Sequence, residues 1–103
     1  MIEITKDNFE KEVLNSDLPT LLDFQAPWCV HCKRLAPVMA KLENELDIRF
    51  GSVNTDEQPE LAERYNIDTI PSLILFKGDF TSAPLVNPGS ARVILNWLQE
   101  KGV

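Results

Sequence analysis

Two cysteines, Cys29 and Cys32, are the only ones in this chain of 103 residues, and their spacing is the feature with the most chemistry in it. Residues three apart at the start of a helix share a face, so the two sulfurs can meet and close a small disulfide ring. A cysteine at a helix N-terminus also faces unpaired backbone N–H groups and the positive end of the helix dipole. These stabilise a thiolate and lower its pKa from the ordinary value of about 8.5. Cys29 is therefore the expected nucleophile. Cys32, one turn further in, is expected to be more buried and less ionised, which suits a resolving role: it attacks the mixed disulfide that Cys29 forms with a substrate, releases the reduced substrate and leaves the pair oxidised. The reverse direction makes disulfides.

Two other uses of the pair are weaker. A structural zinc site needs about four Cys, His, Asp or Glu ligands. This chain offers no third cysteine, and its single histidine, His31, lies inside the loop itself. No metal and no cofactor are expected. Two cysteines so close in sequence cannot staple distant parts of a fold, and simple packing does not explain their place between a strand and an amphipathic helix.

The elements that must hold the pair can be read from periodicity. Apolar, β-branched runs mark strands at Ile2 to Ile4, Leu21 to Phe24, Ile48 to Val53 and Leu73 to Phe76, with a weaker one near Ala83 to Val86. Helical spacing joins Phe9, Val13 and Leu14; then Leu35, Val38, Met39, Leu42 and Leu46; then Leu61 and Tyr65; and finally Val93, Ile94, Trp97 and Leu98. Thr5 with Asn8, and Ser90, are suitable N-caps. Pro59 suits a first helical turn and Gly102 a C-terminal stop. Lys77-Gly78-Asp79 predicts a β-hairpin. The order β-α-β-α-β-α-β-β-α describes one α/β domain over residues 1–103, a mixed sheet with helices on both faces.

Composition limits the partners. Ten basic against sixteen acidic side chains leave a net charge of −6, which gives no general attraction to nucleic acid or anionic lipid. No apolar run approaches the roughly 20 residues a membrane helix needs. The N-terminus Met1-Ile2-Glu3-Ile4-Thr5-Lys6 has no signal-peptide pattern, so a cytoplasmic location is expected.

At this point nearly the whole chain resembles the thioredoxin family. The segment from Asp23 to Lys33, Asp-Phe-Gln-Ala-Pro-Trp-Cys-Val-His-Cys-Lys, is similar to the family's signature; Pro37 matches its helix-kinking proline and Ile70-Pro71 its cis-proline. The resemblance implies a four- or five-stranded mixed sheet with the redox loop and the cis-proline loop side by side. It implies that Asp23, an acid inside an apolar strand, is buried behind Cys32 and relays its proton, although a strand-end polar residue is the plainer reading. Pro71 could simply open an edge strand; the resemblance instead makes Ile70 and Pro71 part of a substrate surface with Trp28, Val30 and Asn87. Disulfide-containing protein substrates, a thioredoxin-reductase-like flavoprotein as electron donor and a monomeric state follow from the same likeness.

The departures are informative. Typical members carry Gly-Pro between the cysteines where this chain has Val30-His31. His31 and the Ala26-Pro27-Trp28 run resemble protein disulfide isomerases, and His31 also bacterial disulfide oxidases. A histidine there can donate a hydrogen bond to the Cys29 thiolate, which favours the reduced form and makes the pair more oxidising. Gln25 stands where many members have a second tryptophan, Ser52 where a lysine commonly neighbours the buried acid, and Asn87 where a glycine lines the substrate surface. Loss of the lysine weakens the expected relay, and Val30 with Asn87 implies slow reduction of bulky protein disulfides. The functional expectation is a protein-disulfide reductase, with an oxidase or isomerase as its variant. The competing class is a docking or assembly module on the same fold with incidental cysteines.

Overall fold

The computed structural model describes residues 1–103. Its organising element is β2 (Thr20–Gln25), paired in parallel with β3 (Arg49–Asn54) and antiparallel with β4 (Ser72–Lys77). A strand paired on both edges and covered on both faces must be apolar along its length, and Leu21, Leu22 and Phe24 are fully buried. The short β1 (Ile2–Glu3) extends the sheet beyond β3 and the short β5 (Phe80–Thr81) extends it beyond β4, giving the order β1-β3-β2-β4-β5.

Alternation along β2 divides the core. Leu22 and Phe24 turn to one face, against Phe9, Val13, Val53, Leu61, Ile74 and Phe76; a five-residue π-helical turn (Glu10–Leu14) and α2 (Pro59–Arg64) cover it. Leu21 turns to the other, where α1 (Val30–Glu45) and α3 (Ala91–Glu100) bring Leu35, Met39, Leu42, Ile94 and Leu98. Asp23 and Gln25 share this second face by the same alternation. The first helical segment is thus shorter than its periodicity suggests, because only Phe9 and Val13 reach the core.

The caps fall where residue chemistry placed them. The Thr5 N–H donates to Asn8 Oδ1 at 2.8 Å and the Asp7 N–H to Thr5 Oγ1 at 3.2 Å. Ser90 Oγ accepts from the Val93 N–H, Pro59 opens α2, and Gly102 follows α3 with φ +83°. The hairpin differs from expectation. Gly78-Asp79 turns β4 into β5 (Phe80–Thr81), whereas Leu85–Val86 forms a separate β6 that pairs with the other end of β4. Ser82 and Pro84 separate the two pieces: Ser82 bonds Leu75 through both its N–H and its hydroxyl, and Pro84 has no N–H for the ladder. Both pieces lie on one edge of β4, so the sheet is five strands wide.

Candidate active site

β2 delivers the chain through Ala26-Pro27-Trp28 to Cys29, the N-cap of α1. Cys29 has extended backbone, its N–H donates to the Ala26 carbonyl at 3.2 Å, and its Sγ accepts the Cys32 N–H at 3.2 Å. Cys29 and Cys32 are joined as a disulfide with Cα atoms 5.2 Å apart. The first turn of α1 contains no acidic residue, so no negative side chain on it opposes a thiolate at this end of the helix.

The expected difference in burial is not found. Cys29 is 5% exposed and Cys32 4%, because Ala26 and Ile70 close over both. The asymmetry lies in hydrogen bonding: Cys29 Sγ receives a helix N–H and Cys32 Sγ receives none.

The second loop adjoins the first. Ile70-Pro71 is cis, and the Ile70 carbonyl oxygen lies 3.8 Å from Cys29 Sγ. Asn87, at φ +45°, donates its N–H to the Pro71 carbonyl at 2.8 Å, and its Oδ1 accepts from Arg34 Nη2 at 3.3 Å. Trp28 and Val30 stand out from the surface, 65% and 74% exposed, with the Trp28 indole N–H donating to Asp56 Oδ2 at 2.8 Å. The structure thereby gathers Trp28, Val30, Ile70, Pro71 and Asn87 around the cysteines. His31 is exposed on the same turn and makes no hydrogen bond in the oxidised chain.

Asp23 is buried on the α1 face of β2, and its Oδ1 has no partner. Burial pushes its pKa from the ordinary 3.8 up to about 7, since the charged form loses its water and gains no cation. Across the strand pair stands Ser52, whose Oγ accepts from Gln25 Nε2 at 2.5 Å. A cleft of about 270 Å³ opens beside Cys32, lined also by Gln25, Pro27, Lys33 and Asn54. No group of three or more His, Cys, Asp or Glu side chains is placed to hold a metal ion.

Sequence reasoning did not find Arg34, Asp56 or the bond between Gln25 and Ser52. A signal existed for Asp56, because Asn54-Thr55-Asp56 is a side-chain-capped turn directly after β3, with the Asp56 N–H donating to Asn54 Oδ1.

A dithiol that opens and closes at a helix start exchanges with other disulfides, and a protein built around one is a thiol-disulfide oxidoreductase. The family model described as thioredoxin matches residues 1–100. Thioredoxin 1 of Nostoc sp. is 45% identical over 78 residues, covering 74% of this chain and 73% of its own. The thioredoxin of Rickettsia felis is 35% identical over 99 residues, covering 94% of each chain, and that of Porphyra purpurea is 43% identical over 77 residues, 73% of this chain and 72% of its own. The chain belongs to the thioredoxin family, and its activity is disulfide reduction through Cys29 and Cys32.

Proposed function

We propose that residues 1–103 work as a single-domain, monomeric, cytoplasmic disulfide reductase, recharged by a thioredoxin-reductase-like flavoprotein, with a narrower substrate range and a higher potential than a typical family member. No helix is long and apolar enough to cross a membrane. The observation that carries the assignment of roles is the Cys32 N–H aimed at Cys29 Sγ. In the reduced protein this donor and the helix dipole stabilise the Cys29 thiolate, which attacks a substrate sulfur and expels the other as a thiolate. The Cys32 thiol then gives its proton to the Asp23 carboxylate and attacks Cys29 Sγ. The substrate leaves with both sulfurs reduced, and the pair is again a disulfide. An acid with pKa about 7 is a well-matched acceptor near neutrality. Replacing each cysteine in turn tests the roles.

Extended substrate segments lie against Trp28, Val30, Ile70, Pro71 and Asn87. The Arg34–Asn87 bond and the protruding Val30 narrow this surface. Asn87→Gly removes the tether at a backbone conformation glycine adopts freely, so insulin reduction is expected to speed up several-fold. An unchanged rate would remove Asn87 from the specificity surface.

His31, free of other bonds, is available to the Cys29 thiolate in the reduced form. A charge-assisted bond of about 1.5 kcal/mol corresponds to about 30 mV for a two-electron couple. His31→Pro is therefore expected to lower the potential by about 30 mV or more, measured against glutathione. An equal or higher potential in the variant would refute the tuning role. The same histidine is the feature that favours an oxidase or isomerase direction as the second reading.

A further inference from the structure

Asp23 is the one carboxylate in the buried interior, and no cation is paired with it. On β3 the sole charged residue is Arg49, at the far end opposite Thr20 and paired with Glu12. On β4 it is Lys77, beyond Phe76, whose Nζ donates to the Gly102 carbonyl. On α1, His31 and Lys33 are exposed, Lys33 lining the cleft beside Cys32 without bonding to Asp23, Arg34 is turned to Asn87, and Lys41, Glu43 and Glu45 lie toward the other end. On α3, Arg92 and Glu100 are exposed.

What stands beside Asp23 is a neutral, hydrogen-bonded pair. Ser52 is the residue paired with Asp23 across β2 and β3. Gln25, two residues further along β2 and so on the same face, donates to Ser52 Oγ. That bond uses a lone pair of the hydroxyl and leaves its O–H to be donated elsewhere. Asp23 Oδ1 lacks a donor. Gln25 also walls the 270 Å³ cleft beside Cys32, which has room for several waters.

We infer that Gln25 and Ser52 are positioning residues for Asp23: the Gln25 amide holds the Ser52 hydroxyl beside the Asp23 carboxylate with its O–H left to be donated through an intervening water, so that a neutral donor rather than a cation sets how readily Asp23 takes the Cys32 proton. The inference rests on the Asp23 relay proposed above. A neutral hydrogen bond favours the carboxylate modestly, and a buried ammonium at the same place favours it far more.

The test is a carbon-13 NMR titration of the Asp23 carboxyl in the oxidised protein, where the cysteines do not ionise; Asp23→Asn assigns the signal. Ser52→Ala and Gln25→Leu are expected to raise the midpoint by about half a pH unit or more, and Ser52→Lys to lower it by about one unit. Ser52→Thr, which keeps the hydroxyl, is expected to hold the wild-type midpoint, whereas a packing effect would move it as Ser52→Ala does. Release of a model substrate from its mixed disulfide with Cys29 is followed across pH in the same variants. Wild-type midpoints in Gln25→Leu and Ser52→Ala would overturn the inference alone if Asp23→Asn still slows release. An unchanged release rate in Asp23→Asn would overturn the relay and this inference with it.

Discussion

Cys29→Ser is expected to end disulfide exchange, with insulin reduction falling by about three orders of magnitude or more, whereas Cys32→Ser should still attack once and then stall. A serine hydroxyl at the N-cap accepts the same helix N–H but is not ionised near neutrality, so nothing remains to open a substrate disulfide. With Cys29 intact and Cys32 replaced, the first displacement proceeds and the second has no nucleophile. Mass spectrometry should find the Cys32→Ser chain carrying substrate through Cys29, releasable by a small thiol. Both cysteines are nearly equally buried, so residue burial alone predicts equal behaviour for the two variants. Equal trapping by Cys29→Ser and Cys32→Ser would show that the N-cap bond does not determine which cysteine attacks. Full function in Cys29→Ser would instead support a docking role for this fold.

The parts of the site legible in the sequence are those that local chemistry determines. Cys29 and Cys32 sit at helical spacing after an apolar strand; Asp23 interrupts that strand; Ile70-Pro71 precedes another. Each needs only neighbouring residues to be noticed. The bonds that were missed join residues 27, 28 and 53 positions apart, Gln25 to Ser52, Trp28 to Asp56 and Arg34 to Asn87, and they depend on strand register and loop placement. Gln25 and Ser52 read as two separate departures in the sequence and become one hydrogen-bonded unit only when β2 and β3 are aligned. The near-equal burial of Cys29 and Cys32 is not legible for a related reason: Ile70, which packs against them, arrives from a loop 41 residues beyond Cys29. The strand expected near Ala83 to Val86 is present as β6, whereas β5 is not legible because Phe80-Thr81 is short and exposed, so burial leaves no mark on its sequence.

The buried acid should make the folded chain less stable as pH rises, and removing it should reverse the trend. Asp23 has a folded pKa of about 7 against an ordinary 3.8. Below about 4 the group is protonated in both states, and its contribution is fully present. Between about 4 and 7 the unfolded chain has released the proton while the folded chain still holds it. The folded state binds more protons, so unfolding free energy falls with pH through this window and levels off above 7. Three units at 1.36 kcal/mol each set the size of the loss at about 4 kcal/mol, an order-of-magnitude figure. Asp23→Asn keeps the shape and cannot ionise. Denaturant unfolding of the oxidised proteins at pH 5 and pH 8 should show the variant gaining on wild type by about 2 to 3 kcal/mol at the higher pH, because about two of the three units lie above pH 5, while exposed carboxylates cancel in the comparison. Parallel stability curves would mean that Asp23 ionises as freely in the folded chain as in the unfolded one, and an acid of that kind would be a poor acceptor for the Cys32 proton. The stability lost between about pH 4 and 7 and the strength of the proposed proton acceptor therefore have one origin: a carboxylate held out of water beside a neutral pair.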